Sequence, residues 1–276
     1  MQSKEDRGYL IWAIGDDYID CAIACARSIK LHTPSAKICL LTDEAGSLSV
    51  YGHDGNHWVF EHIVKFPFPV NYDNILANDW QVFFATPFKE TIKIEADMIV
   101  PHSIEHWWTM LRHKDVVLTT GARNYMNEKT DERFYRQIFD ENNLPDVYNA
   151  ITYWHESDLA NDFGSLVKYL FNRWDIAQAR LKLGLTDPGT TDVVYAVAAV
   201  ILGVENVTLP NTSYPTLIHM KGRINWLVGE DWTKEMVWEL DESNIRINTI
   251  DQQYPFHYYT KEFSKVLNEH YDNIFG

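Results

Sequence analysis

Residues 9–42 read YLIWAIGDDYIDCAIACARSIKLHTPSAKICLLT, and this stretch decides the fold class. Its two ends, residues 9–14 and 37–42, are short and almost continuously apolar, which is typical of strands buried on both faces of a parallel sheet. Between them, after an acidic turn at residues 15–17, apolar residues recur with helical spacing up to His32. The stretch therefore predicts a strand, a helix and a second strand, joined as a βαβ unit.

Segments further along the chain continue this alternation of strand and helix. An alternating order of this kind predicts an open α/β sheet, mostly parallel, with helices on both faces. The predicted strands are 58–66 (as one or two pieces), 91–95, 115–120, 149–154 and 216–220, with a hairpin at 236–240 and 245–250. The predicted helices are 80–88, 104–111, 159–174, 192–202 and 261–271.

Composition narrows the class of protein further. The chain has 276 residues, 46% of them apolar, which suits one α/β domain with a tail. A net charge of −15 disfavours non-specific nucleic-acid binding, although a local basic cleft would still permit it. The three cysteines form no disulfide framework, and we expect them to be buried. With neither a signal region nor 18 uninterrupted apolar residues, the sequence predicts a cytoplasmic protein without a membrane span.

The strongest chemical signal is Glu95-Ala96-Asp97, at the end of the predicted strand 91–95. Ligands of open α/β sheets bind outside the carboxyl ends of strands. Two carboxylates separated by one small residue point the same way in extended chain, and their repulsion is costly unless it is neutralised. A divalent cation such as Mn²⁺ or Mg²⁺ supplies that charge and can bridge to a diphosphate. The triplet therefore predicts a metal site.

Four segments, in their order along the chain, resemble the glycogenin-like and bacterial galactosyltransferase-like glycosyltransferases of the GT-A fold. The segments are LIWAIGDDYIDCAIACARSIKLH (10–32), PFKETIKIEADMIV (87–100), VYNAITYW (147–154) and LIHMKGRINW (217–226). The resemblance implies a Rossmann-like open mixed sheet flanked by helices. It also implies a nucleotide-sugar-binding domain at residues 1–226, followed by a C-terminal extension at 227–276.

The resemblance also implies a set of metal ligands. Asp97 would be the principal ligand, and His219 would be the third protein ligand. Glu95 stands where the family usually has Asp, and it would contact the metal or the ribose. The expected ion is Mn²⁺ or Mg²⁺.

Further positions would bind the nucleotide-sugar donor. Tyr18 would stack on the base, and Gly222 would allow the backbone to approach the diphosphate. The family's Lys before the final Trp is missing, so either Lys221 or Arg223 would supply positive charge. Asn149 and Asp192 would face the sugar, and Asp192 would also suit the N-cap of the helix that follows. The base pocket would be lined by Ala13, Ile14 and Tyr18.

These residues together predict a metal-dependent hexosyl- or pentosyltransferase that uses a nucleotide diphosphate sugar, with a UDP-sugar favoured and retention of configuration implied by the resemblance. A sugar-nucleotidyltransferase is one alternative, although the acidic turn at 15–17 suits a triphosphate poorly. A non-catalytic nucleotide-sugar-binding protein is another. Saccharides, proteins, small molecules and modified DNA bases all remain open as acceptors. The aromatic tail from Trp226 to Tyr259 is expected to face the acceptor, to form a homo-oligomer or to pack over the sheet.

Overall fold

The predicted βαβ unit is present in the computed structural model, which describes residues 4–52, 56–130, 136–182, 190–210, 214–241 and 244–276. Strand β1 (Glu5–Trp12) runs parallel to β2 (Ile38–Thr42), and helix α1 (Asp16–His32) joins them. Alternate residues of β1 enter two different cores. Tyr9 and Ile11 pack with α1, whereas Leu10 packs on the opposite face of the sheet. Burial on both faces explains why this part of the sequence is almost continuously apolar.

The central sheet has six strands in the order β3-β2-β1-β4-β7-β6. The first four are parallel, but β7 runs antiparallel to both of its neighbours. The sheet is therefore mixed, as the resemblance implied, and less parallel than the alternation of elements alone predicted. The four strands not yet placed are β3 (His62–Lys65), β4 (Phe88–Ile94), β6 (Val116–Thr120) and β7 (Val147–His155).

Helices cover both faces of this sheet. Their bounds are α2 (Glu44–Gly52), α3 (Val82–Ala85), α4 (His106–Leu111), α5 (Gln137–Glu141), α6 (Asp158–Asn172), α7 (Trp174–Gln178), α8 (Thr191–Leu202), α9 (Val204–Val207), α10 (Trp232–Glu235) and α11 (Phe263–Phe275). Helices α6 and α8 pack on one face, and α1 packs on the other. Across the described residues, no helix combines the length and the apolar character needed to cross a membrane.

The predicted helix at residues 80–88 is wrong in its bounds. The chain forms a 3₁₀ helix at Ile75–Gln81 and one α-helical turn in α3, and β4 already begins at Phe88. The cause is Pro87, which has no N–H to donate and disfavours helical geometry at the residue before it. Thr86 accordingly has extended backbone angles, with φ −57° and ψ 129°.

Two small sheets lie beside the central one. The predicted hairpin is confirmed as β9 (Trp238–Leu240) and β10 (Ile245–Ile247), and β11 (Ile250–Asp251) extends it. The second small sheet places β12 (Phe256–His257) between β5 (Met98–Ile99) and β8 (Ile218–His219). Helix α11 then packs on α1, where Asp272 forms a 2.7 Å ion pair with Arg27. The segment after residue 226 therefore packs against the rest of the chain, both before and after β12 in the sequence.

Candidate metal and donor site

Glu95 and Asp97 lie in the short connection between β4 and β5, at the carboxyl end of β4. The backbone holds this connection in place from two directions. The Glu95 N–H donates to the carbonyl of Ala150 in β7 at 2.9 Å, and the Asp97 carbonyl accepts from the Tyr258 N–H at 3.2 Å. Ala96, between the two acids, is buried, which leaves the carboxylates at the rim of the core.

A histidine that the sequence analysis did not identify completes this cluster. His257 Nε2 lies 3.1 Å from Asp97 Oδ2 and 3.9 Å from Glu95 Oε2. One ligand atom from each of the three residues falls within 4.8 Å of the others. Strand β12 delivers His257, because it pairs with β5 directly after Asp97. We call Glu95, Asp97 and His257 the acidic–histidine cluster.

His219, the histidine that was predicted to bind the metal, stacks on His257. The two residues are paired in register on β8 and β12, and their ring centroids are 4.7 Å apart with planes 15° from parallel. His219 is buried, and within the described part of the chain its Nδ1 atom has no hydrogen-bond partner. Burial lowers the pKa of His219 well below its ordinary value, so the ring is neutral, the form that binds metals.

The electrostatics of the acidic–histidine cluster favour a cation. Burial raises the pKa of Glu95 to about 7. Burial also opposes the charged form of Asp97, but its contact with His257 outweighs this and lowers the pKa of Asp97. The two carboxylates in turn raise the pKa of His257 to about 9 against the effect of burial. Two acids facing one imidazolium leave excess negative charge, and oxygen and imidazole ligands suit Mn²⁺. The residues therefore fit a divalent metal.

The cluster opens into a cavity of about 1180 Å³. Two residues predicted for the base pocket, Ile14 and Tyr18, lie on its wall together with Glu95, Asp97 and His257. Ala13, the third residue of the predicted base pocket, is instead buried in the core at 1% exposure. The cavity is large enough for a nucleotide sugar, since drug-sized ligands occupy about 300–1,000 Å³.

Asn149, which was predicted to face the sugar, lies in the core behind the cluster and is fully buried. Its Nδ2 atom donates to Asp79 at 3.1 Å, and its Oδ1 atom accepts from the Thr152 hydroxyl at 3.0 Å. The side-chain amide is therefore already committed to protein partners, and Asn149 is not among the residues that line the cavity.

Asp192 interacts both with Asn149 in the core and with the acidic–histidine cluster. One of its carboxylate oxygens accepts from the Asn149 backbone N–H at 2.8 Å, and the other accepts from Arg136 at 3.0 Å. Its charge contributes to the raised pKa values of Glu95 and His257. The expected N-cap lies elsewhere: helix α8 begins at Thr191 after an extended Thr190, so Asp192 sits in the first turn of that helix.

The segment 221–223, expected to contact the diphosphate, is not part of the cavity wall. A Cβ atom on Gly222 would lie 2.0 Å from the carbonyl oxygen of Gly229, so this glycine is required by a close approach of the protein's own backbone. Lys221 Nζ lies 5.7 Å from the ring centroid of Tyr259, and Arg223 is exposed.

The aromatic tail divides into a buried part and an exposed part. Trp232 is fully buried, donates its indole N–H to the Tyr258 carbonyl at 2.7 Å, and packs against Trp238, Phe256 and Phe263. Trp226 in contrast is 66% exposed. The part of the tail around Trp232 therefore packs into the fold.

Comparison with solved structures identifies the architecture. The galactosyltransferase LgtC, in a complex with donor and acceptor sugar analogs, superposes with a TM-score of 0.55 at 11% identity, over 96% of this chain and 95% of LgtC. An active-site mutant of LgtC gives a TM-score of 0.55 at 12% identity, over 95% of each chain. No protein-family model and no curated protein matches the chain. The six-stranded mixed sheet with its flanking helices is thus a GT-A glycosyltransferase fold, which confirms the predicted fold class.

Proposed function

We propose that the protein is a metal-dependent glycosyltransferase that moves a sugar from a nucleotide diphosphate donor to an acceptor. One observation carries this proposal. In a chain with the GT-A fold, two carboxylates and a histidine converge within 4.8 Å at the carboxyl end of a central strand, on the wall of a large cavity. Ligands of open α/β sheets bind at this edge.

In this proposal, Asp97 and His257 are the principal metal ligands, because they are the closest pair in the cluster. Glu95 is a third ligand. His219 supports His257 through ring stacking, or it binds the ion through its Nδ1 atom, which no described residue hydrogen-bonds. A bound Mn²⁺ or Mg²⁺ would neutralise charge on the departing nucleoside diphosphate.

The rest of the cavity divides between the base and the sugar. Ile14 and Tyr18 would contact the base, as the sequence resemblance implies, and the wall at Trp12 and Ile14 supplies apolar surface. Asp192, which does not line the cavity, would act on the sugar site through its charge, which contributes to the raised pKa of Glu95. A UDP-sugar donor and retention of configuration remain proposals that rest on the sequence resemblance alone.

Donor hydrolysis tests the proposal directly. The protein would be incubated with UDP-glucose, UDP-galactose, UDP-xylose and GDP-mannose, with Mn²⁺ or with EDTA, and release of nucleoside diphosphate would be measured. We expect one donor to be hydrolysed with Mn²⁺. Hydrolysis should fall at least about a hundredfold with EDTA or in Asp97→Asn, because the metal would then be lost or weakly held.

The matched control is Asp162→Asn, which removes the same charge from an exposed position on α6. It should hydrolyse the donor as the unmodified protein does. Donor binding without hydrolysis would indicate a nucleotide-sugar-binding protein, and unchanged hydrolysis by Asp97→Asn would refute the metal site.

A further inference from the structure

The charges around the cavity pose a problem for an anionic donor. Its wall carries the acidic residues Asp17, Glu95, Asp97, Glu230, Asp231 and Glu262. A diphosphate adds more negative charge, and one divalent ion cannot offset all of it. Glycosyl transfer leaves that charge on the departing diphosphate, so a cation in the wall would stabilise it. Neither Lys221 nor Arg223, the residues expected in this role, belongs to the wall.

Three lysines do lie on the wall, and they differ in their surroundings. Lys234 is already paired with Asp231 at 2.7 Å. Lys265 is exposed on the first turn of α11. Lys261 is half-buried, and its Nζ atom lies 3.8 Å from the ring centroid of Tyr18. Within the described residues, Lys261 makes no ion pair with a carboxylate, so its charge is not already neutralised.

Lys261 is held between the two parts of the proposed donor site. Its contact with Tyr18 fixes it against the predicted base pocket. Its charge also acts on Asp97 and helps to lower the pKa of that carboxyl. A tight turn follows β12, in which the Thr260 N–H donates to the Tyr258 carbonyl at 2.6 Å. Lys261 comes only four positions after His257 in the chain. One short segment thus carries both a candidate metal ligand and a lysine.

We propose that Lys261 binds the diphosphate of the nucleotide donor, in place of the lysine missing from the segment 217–226. This inference rests on the proposed function. It assigns the positive charge to the segment after β12, where nothing in the sequence pattern indicated it. Lys261 is a binding residue for the leaving group, and its cation–π contact with Tyr18 presents the ammonium to the space between base and metal.

Binding measurements on the whole protein test this role, with UDP and Mn²⁺ as the probes. Calorimetry would compare the unmodified protein with Lys261→Met, which keeps the length and the apolar stem of the side chain. We expect UDP binding in the presence of Mn²⁺ to weaken about tenfold or more, the usual effect of losing a charge-assisted hydrogen bond. Mn²⁺ alone should bind as tightly or up to about twofold more tightly, because a nearby positive charge is gone.

Opposite responses to an anion and a cation are not expected from a general loss of structure. Lys261→Arg should restore UDP binding to within about threefold, since guanidinium also binds diphosphate. Lys89→Met, which removes the same charge from an exposed position on β4 outside the cavity wall, should change UDP binding by less than about twofold.

Two different results would contradict the inference, and they can be told apart. If the unmodified protein binds Mn²⁺ but neither UDP nor, in the same measurement, GDP, the proposed function and the role of Lys261 are both refuted. If the unmodified protein binds UDP and Lys261→Met binds it equally well, or if Lys89→Met loses as much affinity, the role of Lys261 alone is refuted.

Discussion

Two groups of charged residues meet at the carboxyl end of β4, and they have opposite characters. The first, which we call the Asp79 hub, pairs Lys93 with Asp79, and both side chains are at most 1% exposed. The second is the acidic–histidine cluster, which begins two residues later at Glu95. The hub has a matched charge and a closed set of partners, whereas the cluster has an excess of negative charge and opens into a cavity.

Every oxygen of Asp79 is occupied by donors. The Oδ2 atom accepts from both Lys93 Nζ and the Trp12 indole N–H, each at 2.8 Å. The Asn149 amide and the Tyr195 hydroxyl donate to the other. Lys93 also donates to the Asn149 carbonyl at 2.8 Å. Such complete pairing is what makes a buried ion pair tolerable, and it leaves no atom free for a ligand.

The acidic–histidine cluster lacks this closure. Two carboxylates share one histidine, and burial, with a smaller contribution from Asp97, raises the pKa of Glu95 to about 7. Proteins commonly give up stability at sites that must bind a ligand. The hub is therefore fully paired and closed to ligands, whereas the neighbouring cluster is kept short of positive charge.

Breaking the hub should have the largest effect. Lys93→Met leaves the Asp79 carboxylate buried without its cation, which we expect to lower the free energy of unfolding by about 3–5 kcal/mol. Urea unfolding monitored by circular dichroism measures this.

Lys89→Met, which removes an exposed lysine from the same strand, is the control and should leave the unfolding midpoint nearly unchanged. The double variant Asp79→Asn with Lys93→Met should recover part of the loss. If Lys93→Met were no less stable than Lys89→Met, the buried pair of Lys93 and Asp79 would not stabilise the fold.

Replacing His257 and His219 one at a time should show which of them binds the metal directly. The expected effect is smaller than that of breaking the hub. His257→Ala should weaken Mn²⁺ binding about a hundredfold, as expected when a direct ligand is lost. His219→Ala should weaken it about tenfold if His219 only supports its neighbour. Calorimetry with Mn²⁺ measures both, and the unfolding midpoint in EDTA shows whether each variant is folded. A larger loss in His219→Ala would make His219 the direct ligand, as the resemblance implied.

Neutralising Glu95 should have the smallest effect on the free energy of unfolding. It should raise that free energy, whereas breaking the hub should lower it. Glu95→Gln should stabilise the metal-free protein by about 1 kcal/mol, because a buried like charge is removed, while it weakens Mn²⁺ binding about tenfold. A raised carboxyl pKa destabilises the folded state once the group ionises. The gain should therefore be full above pH 7 and absent below the ordinary value of 4.5.

Unfolding of Glu95→Gln in EDTA at pH 4 and pH 8 checks this prediction. Equal stability of the variant and the unmodified protein at pH 8 would contradict the claim that the cluster is short of positive charge.

Local patterns in the sequence predicted a large part of this structure. The apolar runs at 9–14 and 37–42 and the helix between them were sufficient to predict the βαβ unit, because burial on both faces of a sheet leaves a continuous apolar signature. Hydrophobic alternation likewise predicted the hairpin at β9 and β10. Glu95 and Asp97 were found because their spacing and their place at a strand end are local properties.

His257 shows where this reasoning stops. Its strand has only two residues, too few to give a periodic signal. The one local hint is that Phe256 and Tyr258, on either side of it, are both fully buried, so that alternation turns His257 the other way. Its neighbours on β5 and β8 are distant in sequence, and pairing between distant strands is a tertiary property.

The class of fold, the order of its elements and the acidic pair at the end of β4 could be predicted from the amino-acid sequence, since each depends on residues that are neighbours in the chain. Three further features became visible only in the folded chain: β7 runs antiparallel, Asn149 is committed to the Asp79 hub, and His257 and Lys261 reach the cavity. Those outcomes depend on which distant segments pack together, and the free energy of that packing is shared among residues far apart in sequence.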